Sequence, residues 1–197
     1  MKLLLYKGTR PGLSGFGNWC VRKRTKSKYS HVELMFEESD GEIAALAMPD
    51  KSLNPDTKGA RWCYGATATD IMPDWGPERR RRAGKWGGVR FKRIAIDPAK
   101  WDVIELPYAD VQKVIDFCLK HEGKAYDWRH IFTFFSVILL GVILNQFINQ
   151  GEDHWTCGEL IGAALGFELP EIFDPKTLGA VALTVLAYWR LSKEPDK

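Results

Sequence analysis

The segments Tyr29-Ser30-His31-Val32-Glu33-Leu34 and Trp155-Thr156-Cys157-Gly158-Glu159-Leu160 decide how this chain is interpreted. The first alternates and is rich in β-formers, which predicts a strand over residues 31–36. The second begins with residues typical of a helix N-terminus, which predicts a helix over residues 157–165 with its threonine as N-cap. A histidine on a rigid strand and a cysteine at a helix start are thus supplied by one chain, with the histidine first.

The position of Cys157 suits a nucleophile. Unpaired N–H groups and the positive end of the helix dipole favour the thiolate form of a cysteine in the first turn. The same N–H groups can stabilise an oxyanion. An imidazole within hydrogen-bonding reach must take and return the proton, and we predict that His31 is this base. Glu33 lies two residues along the same strand, so it shares a face with His31 and is predicted to orient it.

The remaining histidines and cysteines have plainer interpretations. His154 lies three residues before Cys157, and it is the competing candidate for the base. His121 and His130 have the positions of helix-end or turn residues. The other three cysteines are predicted to be structural and unreactive, namely Cys20, Cys63 and Cys118.

Composition favours one ordinary globular domain spanning residues 1–197, with 45% hydrophobic and 27% charged residues. The net charge of +3 is too small to imply a polyanionic partner. The four cysteines include no C-x-x-C pair, which argues against a zinc ribbon or a compact disulfide framework. We therefore expect neither a metal nor a cofactor. A weaker alternative is a metal site made by His31, His154 and Cys157, although their spacing matches no standard zinc pattern.

The periodicity along the chain predicts an α+β domain with a small antiparallel sheet packed against helices. Strands are predicted over residues 3–6, 31–36, 42–48, 88–96 and 102–106, and helices over residues 109–121, 157–165 and 177–191. Residues 9–28 are compatible with a loop or a short helix. Residues 49–87 are rich in proline and glycine and are predicted to form a long irregular basic insertion.

Four segments in order resemble the circularly permuted branch of the NlpC-type papain-like cysteine hydrolases. They are Tyr29-Ser30-His31-Val32-Glu33-Leu34, Gly87-Gly88-Val89-Arg90-Phe91-Lys92, Gly123-Lys124-Ala125-Tyr126-Asp127-Trp128 and Cys157-Gly158-Glu159-Leu160-Ile161. The resemblance extends from about residue 3 to about residue 180. It is carried by order, because the histidine segment opens the domain and the cysteine segment follows late. The second segment looks like one seen in bacteriophage-encoded relatives.

Carried over to this chain, the resemblance makes Cys157 the nucleophile and His31 the base, with Glu33 as the third member. It implies a papain-like fold and a cysteine peptidase or amidase, a thiol protease type of hydrolase that works through an acyl-enzyme. Three departures stand out. Some relatives place an acid where this chain has Ile43-Ala44-Ala45-Leu46, Gly158 replaces a serine, and the 49–87 insertion has no counterpart.

The substrates that the resemblance implies are peptidoglycan peptides of the cell wall or, in some branches, lipid acyl groups. The alternative function is a non-catalytic or dual-role bacteriophage virion protein that keeps the fold and binds other virion proteins. The apolar run near Met1 is far too short for a signal peptide. We therefore expect the cytoplasm of a bacterial host, or the virion, as the location.

Two further segments suggest contacts with other molecules. Residues 131–144 are apolar except for Thr133 and Ser136, and as a helix they span roughly 21 Å, less than the roughly 30 Å hydrocarbon core. We expect a buried helix over residues 131–148, with membrane contact as the alternative. The run Arg79-Arg80-Arg81-Arg82, followed by Lys85, Arg90, Lys92 and Arg93, is predicted to be a solvated loop. Few aromatic residues interleave with it, so a nucleic-acid partner is not indicated.

Overall fold

The computed structural model of the protein describes residues 1–37, 60–68, 81, 87–127, 154–168 and 174–193. These residues form an α+β arrangement of seven strands and four helices. The strands are β1 Lys2–Tyr6, β2 His31–Met35, β3 Ala60–Thr67, β4 Gly88–Ala95, β5 Trp101–Glu105, β6 Ala125–Tyr126 and β7 His154–Trp155. The helices are α1 Gly12–Thr25, α2 Val111–His121, α3 Cys157–Ala164 and α4 Pro175–Leu191.

The main sheet has five strands in the order β4-β3-β2-β1-β5. All of its neighbouring strands are antiparallel. The register pairs Leu4 of β1 with Glu33 of β2 and, one strand further, Leu34 of β2 with Tyr64 of β3. The short strands β6 and β7 form a separate parallel pair that ends immediately before α3. Thr156, the residue that follows β7, is the N-cap of α3.

Strand alternation divides the apolar side chains of the sheet between two clusters. The larger cluster joins one face of the sheet to α2, α3 and α4, and its fully buried members include Leu3, Val32, Leu34, Ile115, Leu160 and Ile161. The smaller cluster, on the other face, consists of Leu4, Tyr6, Met35, Cys63 and Trp101. Helix α3 packs against β2 and β3 within the larger cluster, so the first turn of α3 is held beside the start of β2.

Most elements that the periodicity predicts are present at nearly the predicted bounds. The strands predicted over 88–96 and 102–106 are β4 and β5, and the helix predicted over 109–121 is α2. Asp110 caps α2 by accepting a hydrogen bond from the N–H of Lys113. Gly123 follows that helix with a positive φ of 79°, which glycine adopts readily.

One region differs from the prediction, and in a second the structure decides between two alternatives. Residues 60–67, which fall inside the predicted irregular insertion, form β3 in the interior of the sheet. Residues 12–25, within the segment that was compatible with a loop or short helix, form the α1 helix of 14 residues. Gly15 of that helix lies so close to Arg10 that a Cβ atom would approach the Arg10 carbonyl oxygen at 1.9 Å. Glycine is therefore required at this position, although it lowers the helix propensity of the segment.

Three predictions lie outside the described residues, namely the strand over 42–48, the helix over 131–148 and most of the arginine run at 79–82. Within that run only Arg81 is described, and it is exposed. In the parts of the chain that the structure describes, no helix combines the length and apolar character needed to cross a bilayer.

Candidate active site

The first turn of α3 places Cys157 by means of a reciprocal cap. The hydroxyl of Thr156 accepts a hydrogen bond from the N–H of Glu159 at 3.3 Å, and the Glu159 carboxylate accepts one from the N–H of Thr156 at 3.0 Å. Such a capping box satisfies two backbone donors at once and fixes the direction in which the helix begins. Cys157 is the residue immediately inside this cap, so its Cβ position is fixed by local geometry.

The same cap leaves amide donors beside the thiol. The first N–H groups of an α-helix have no acceptor within the helix. The N–H of Glu159 is bound to the Thr156 hydroxyl, whereas the helix provides no acceptor for the N–H groups of Cys157 and Gly158. N–H groups and a helix dipole at a helix N-terminus can stabilise an oxyanion that forms there.

His31, the first residue of β2, uses its ring in two directions. Nε2 lies 2.7 Å from Glu33 Oε1, and the imidazole also makes a side-chain hydrogen bond with Cys157. Burial opposes the charged imidazolium, but the hydrogen bonds to Cys157 and Glu33 outweigh it and raise the pKa of His31 from 6.5 to about 8.

Glu33 is a fully buried carboxylate, with an exposed fraction of 0%. Burial alone would raise its pKa, but the positive charge of Arg90 and the hydrogen bond with His31 lower it from 4.5 to about 2. Glu33 is therefore ionised at neutral pH and can only accept hydrogen bonds. It follows that His31 Nε2 carries a proton and donates it to Glu33, as an orienting acid in a triad requires.

Arg90 reaches Glu33 from β4, two strands away. Its Nη2 donates to Glu33 Oε1 at 3.1 Å, and its Nη1 donates to the carbonyl oxygen of Gly65 at 3.2 Å. Gly65 lies between them on β3, and a Cβ atom at that position would approach Glu33 Cγ at 2.9 Å. A glycine is thus needed for the arginine and the glutamate to meet across this strand.

Aromatic rings flank the two reacting side chains. The Trp101 ring lies 6.3 Å from the His31 ring and packs edge-on against Tyr6 at 4.8 Å. Near the thiol, the pKa of the Tyr126 hydroxyl is raised by burial and by negative charge at Cys157. His31 and Cys157 are both buried, and burial strengthens the electrostatic interaction between them.

The structure brings Cys157, His31 and Glu33 into one hydrogen-bonded array. His154, the competing candidate for the base, is exposed on β7. His121 is the buried last residue of α2 and stacks on Phe117 at 4.2 Å. His130 lies outside the described residues. Of the candidates for the base in the described part of the chain, His31 is the one hydrogen-bonded to the thiol.

All four cysteines are buried, and Cys157 is the least buried of them. Cys157 keeps an exposed fraction of 8%, whereas Cys63 and Cys118 have 0% and Cys20 has 3%. Burial raises the pKa of the thiols of Cys63 and Cys118 well above its ordinary value, which keeps these two thiols protonated and unreactive.

Two residues of the site carry no signal of their role in the sequence. Arg90 was assigned to a solvated basic run, but it is fully buried against Glu33. That prediction was wrong because one charged residue on a strand with half-buried basic neighbours carries no local sign of burial. Gly65 was unmarked, and only its position between two distant strands shows its role.

Among the described residues, no three His, Cys, Asp or Glu side chains are grouped to hold a metal ion, so His31, His154 and Cys157 do not form the alternative metal site.

Comparison with known proteins adds no relationship to this picture. No family model, no curated protein and no solved structure matches the chain. The hydrogen-bonded array of Cys157, His31 and Glu33 is therefore the basis for assigning a function.

Proposed function

We propose that this protein is a thiol hydrolase that cleaves an amide bond through a Cys-His acyl-enzyme mechanism. The observation that carries the proposal is that the buried His31 is hydrogen-bonded both to Cys157, at a helix N-terminus, and to the ionised Glu33. Nucleophilic acyl transfer needs a nucleophile that contacts a base, and a base that contacts an orienting acid. Cys157, His31 and Glu33 contact one another in this order.

In the first half of the reaction, His31 takes the proton of the Cys157 thiol. The sulfur attacks the carbonyl carbon of the scissile amide, a C–S bond forms, and the carbonyl π electrons move to oxygen. The N–H groups of Cys157 and Gly158 stabilise the resulting oxyanion. When the intermediate collapses, the C–N bond breaks and the His31 imidazolium donates its proton to the departing amine, which leaves a thioester on Cys157.

In the second half, water replaces the amine. His31, now neutral, takes a proton from a water molecule as its oxygen attacks the thioester carbonyl. The C–S bond then breaks, the imidazolium returns its proton to the sulfur, and the product leaves as a carboxylic acid. Glu33 keeps the imidazole in one orientation through both halves and stabilises its charged form.

The electrostatics of the site favour a protonated His31 imidazole at neutral pH. The pKa of His31 is raised to about 8 by its hydrogen bonds to Cys157 and Glu33, in spite of burial. The imidazole therefore retains the proton that it takes from the thiol at pH 7. A base poised close to the working pH can also return that proton efficiently.

The finer assignment of fold and substrate is part of the same proposal. A base at the start of a strand, followed late in the chain by a nucleophile on a helix packed against β2 and β3, supports a circularly permuted papain-like fold. The resemblance of the four sequence segments to NlpC-type hydrolases points to peptide bonds of peptidoglycan as the substrate class. The geometry supports the reaction type more strongly than the substrate.

The decisive experiment compares Cys157→Ala with Cys118→Ala on purified peptidoglycan and on soluble peptides derived from it. Mass spectrometry of the products identifies the bond that is cleaved. We expect Cys157→Ala to lose activity by a factor on the order of 10⁴ or more while its circular dichroism spectrum stays unchanged. Cys118→Ala serves as the control, because it alters a fully buried thiol away from the site.

Alkylation gives a second readout that needs no substrate. Iodoacetamide near neutral pH should label Cys157 first, and His31→Gln should slow that labelling because the thiolate loses its partner. Labelling that is equally slow at Cys157 and Cys118, or hydrolysis that survives Cys157→Ala, would contradict the proposal.

A further inference from the structure

A single row of residues crosses the sheet at the site. The register places Leu4 opposite Glu33, and continuing the β2–β3 pairing by one residue beyond Leu34 and Tyr64 places Gly65 opposite Glu33. Gly65 in turn pairs with Arg90 of β4. Because residues in such a row point to the same face of a sheet, Arg90 and Glu33 extend toward each other over the glycine.

The guanidinium group holds two acceptors at once. One nitrogen donates to Glu33 Oε1 at 3.1 Å and the other to the carbonyl oxygen of Gly65 at 3.2 Å. The fixed fork of a guanidinium matches this pair of acceptors, which a single ammonium group cannot do with the same geometry. The oxygen that accepts from Arg90 is also the one that accepts from His31 Nε2 at 2.7 Å.

The burial of Arg90 and Glu33 costs desolvation free energy. Arg90 and Glu33 both have an exposed fraction of 0%. A buried ion pair rarely stabilises a fold more than apolar residues of the same volume would. The fork does, however, fix the position of the one oxygen atom on which the orientation of His31 depends.

We propose that Arg90 is a positioning residue that holds Glu33 Oε1 against His31 Nε2, and thereby keeps the His31 ring in the orientation in which it contacts Cys157. The catalytic consequence rests on the proposed function, whereas the effect on the His31 hydrogen bond does not.

The charged and titratable neighbours define what removal of Arg90 would do. His31, Arg90 and Cys63 face Glu33 from β2, β4 and β3, and Cys157 and Glu33 face His31. Without the arginine, a buried carboxyl group beside an imidazole favours its protonated form more strongly. A protonated and unpinned Glu33 no longer accepts reliably from Nε2, so the imidazole is free to turn.

The test uses proton NMR of the low-field Nε2–H resonance of His31, assigned with His31→Gln, at a pH above 9 where the imidazole is neutral. We expect the resonance in the wild type and in Arg93→Met, a control that changes an arginine of the same strand whose guanidinium donates to the Ala60 carbonyl. It should disappear or move strongly upfield in Arg90→Met and in Arg90→Lys.

Steady-state kinetics provide the second readout. Arg90→Met should lower kcat by a factor on the order of 10² with little change in KM, and it should move the acidic limb of the pH profile upward by about one unit or more. Arg90→Lys keeps the charge, so its acidic limb should stay near that of the wild type while kcat falls about tenfold.

Each outcome decides the matter. If Arg90→Met does not fold, Arg90→Lys carries the test. A wild-type resonance and kcat in Arg90→Lys would overturn the proposal. If no hydrolytic activity exists at all, the proposed function fails, but the resonance still shows whether Arg90 positions Glu33.

Discussion

Two acidic side chains, on the strands that flank β1, each contact several positively charged side chains, but one is buried and the other is partly exposed. Glu33, on β2, is fully buried and contacts Arg90 and His31. Asp102, on β5, has a side chain that is 29% exposed, and it accepts from Lys28 at 2.8 Å and from the Tyr29 hydroxyl at 2.7 Å, with Lys7 as a third partner. Both clusters lower the pKa of the carboxyl group.

The difference between these two clusters lies in what water does for them. Around Asp102, water screens the charges and solvates each partner if another is lost, so each contact is replaceable. Around Glu33, no such replacement exists, and each charge depends on the others. The buried cluster can therefore set the orientation of His31, whereas the exposed cluster holds the chain segment that leads into β2.

The largest effect is expected from Glu33→Gln, which removes one partner of the buried ion pair. We expect the free energy of unfolding to fall by ~3–5 kcal/mol, measured by urea denaturation at pH 7. Hydrolytic activity should fall as well, because a neutral amide does not stabilise the His31 imidazolium. A loss below about 1 kcal/mol would show that the two clusters do not differ in the way described.

The second effect is a dependence of stability on pH that His31 causes. Its pKa is raised from 6.5 to about 8 in the folded protein, so its stabilising contribution is complete below pH 6.5 and is lost as the pH rises through about 8. At ~1.4 kcal/mol per pKa unit, the contribution is about 2 kcal/mol. His31→Gln should therefore cost about 2 kcal/mol more at pH 6 than at pH 9.5. Equal losses at both pH values would remove His31 as the titrating group.

The contrast between local and long-range information explains how much of the site was predictable. The pairing of His31 with Glu33 follows from the two-residue period of a strand, and Thr156 as N-cap follows from residue type next to a helical pattern. Both inferences need only a few adjacent residues, and the structure has both features.

Gly65 and Arg90 depend instead on a register between strands that are far apart in the sequence. No local pattern states that residue 65 will lie between residues 33 and 90. The strand that carries Gly65 was also concealed, because β3 lies between β2 and β4 and is largely buried along its length. A strand buried on both faces lacks the alternation by which strands are found.

The third expected effect comes from filling the space between Gly65 and the Glu33 side chain. In Gly65→Ala, the added methyl group would approach Glu33 Cγ at 2.9 Å, so Glu33 or the strand must shift. We expect a loss of ~1–3 kcal/mol in the free energy of unfolding, as for other overpacked sites. The low-field His31 resonance should weaken at the same time.

Gly17→Ala is the matched control for that substitution. A Cβ atom at Gly17, in the interior of α1, meets nothing within 4 Å. The same chemical change should there increase stability by ~0.5–1 kcal/mol, because alanine favours the helix. If both substitutions changed the free energy of unfolding in the same direction, the close approach of residue 65 to Glu33 would not affect the stability of the fold.

The smallest effect is expected from Asp102→Asn, which changes the exposed cluster in the way that Glu33→Gln changes the buried one. The asparagine can still accept hydrogen bonds from Tyr29 and Lys28, and water solvates both lysines. We expect a loss of ~0–1 kcal/mol that shrinks further at high salt, since exposed charges are screened. Urea denaturation of both variants at low and high salt measures the difference directly. If Asp102→Asn and Glu33→Gln instead lowered the free energy of unfolding equally, that result would mean that burial does not distinguish the two clusters. The segment that leads into β2 would then depend on Asp102 as strongly as His31 depends on Glu33.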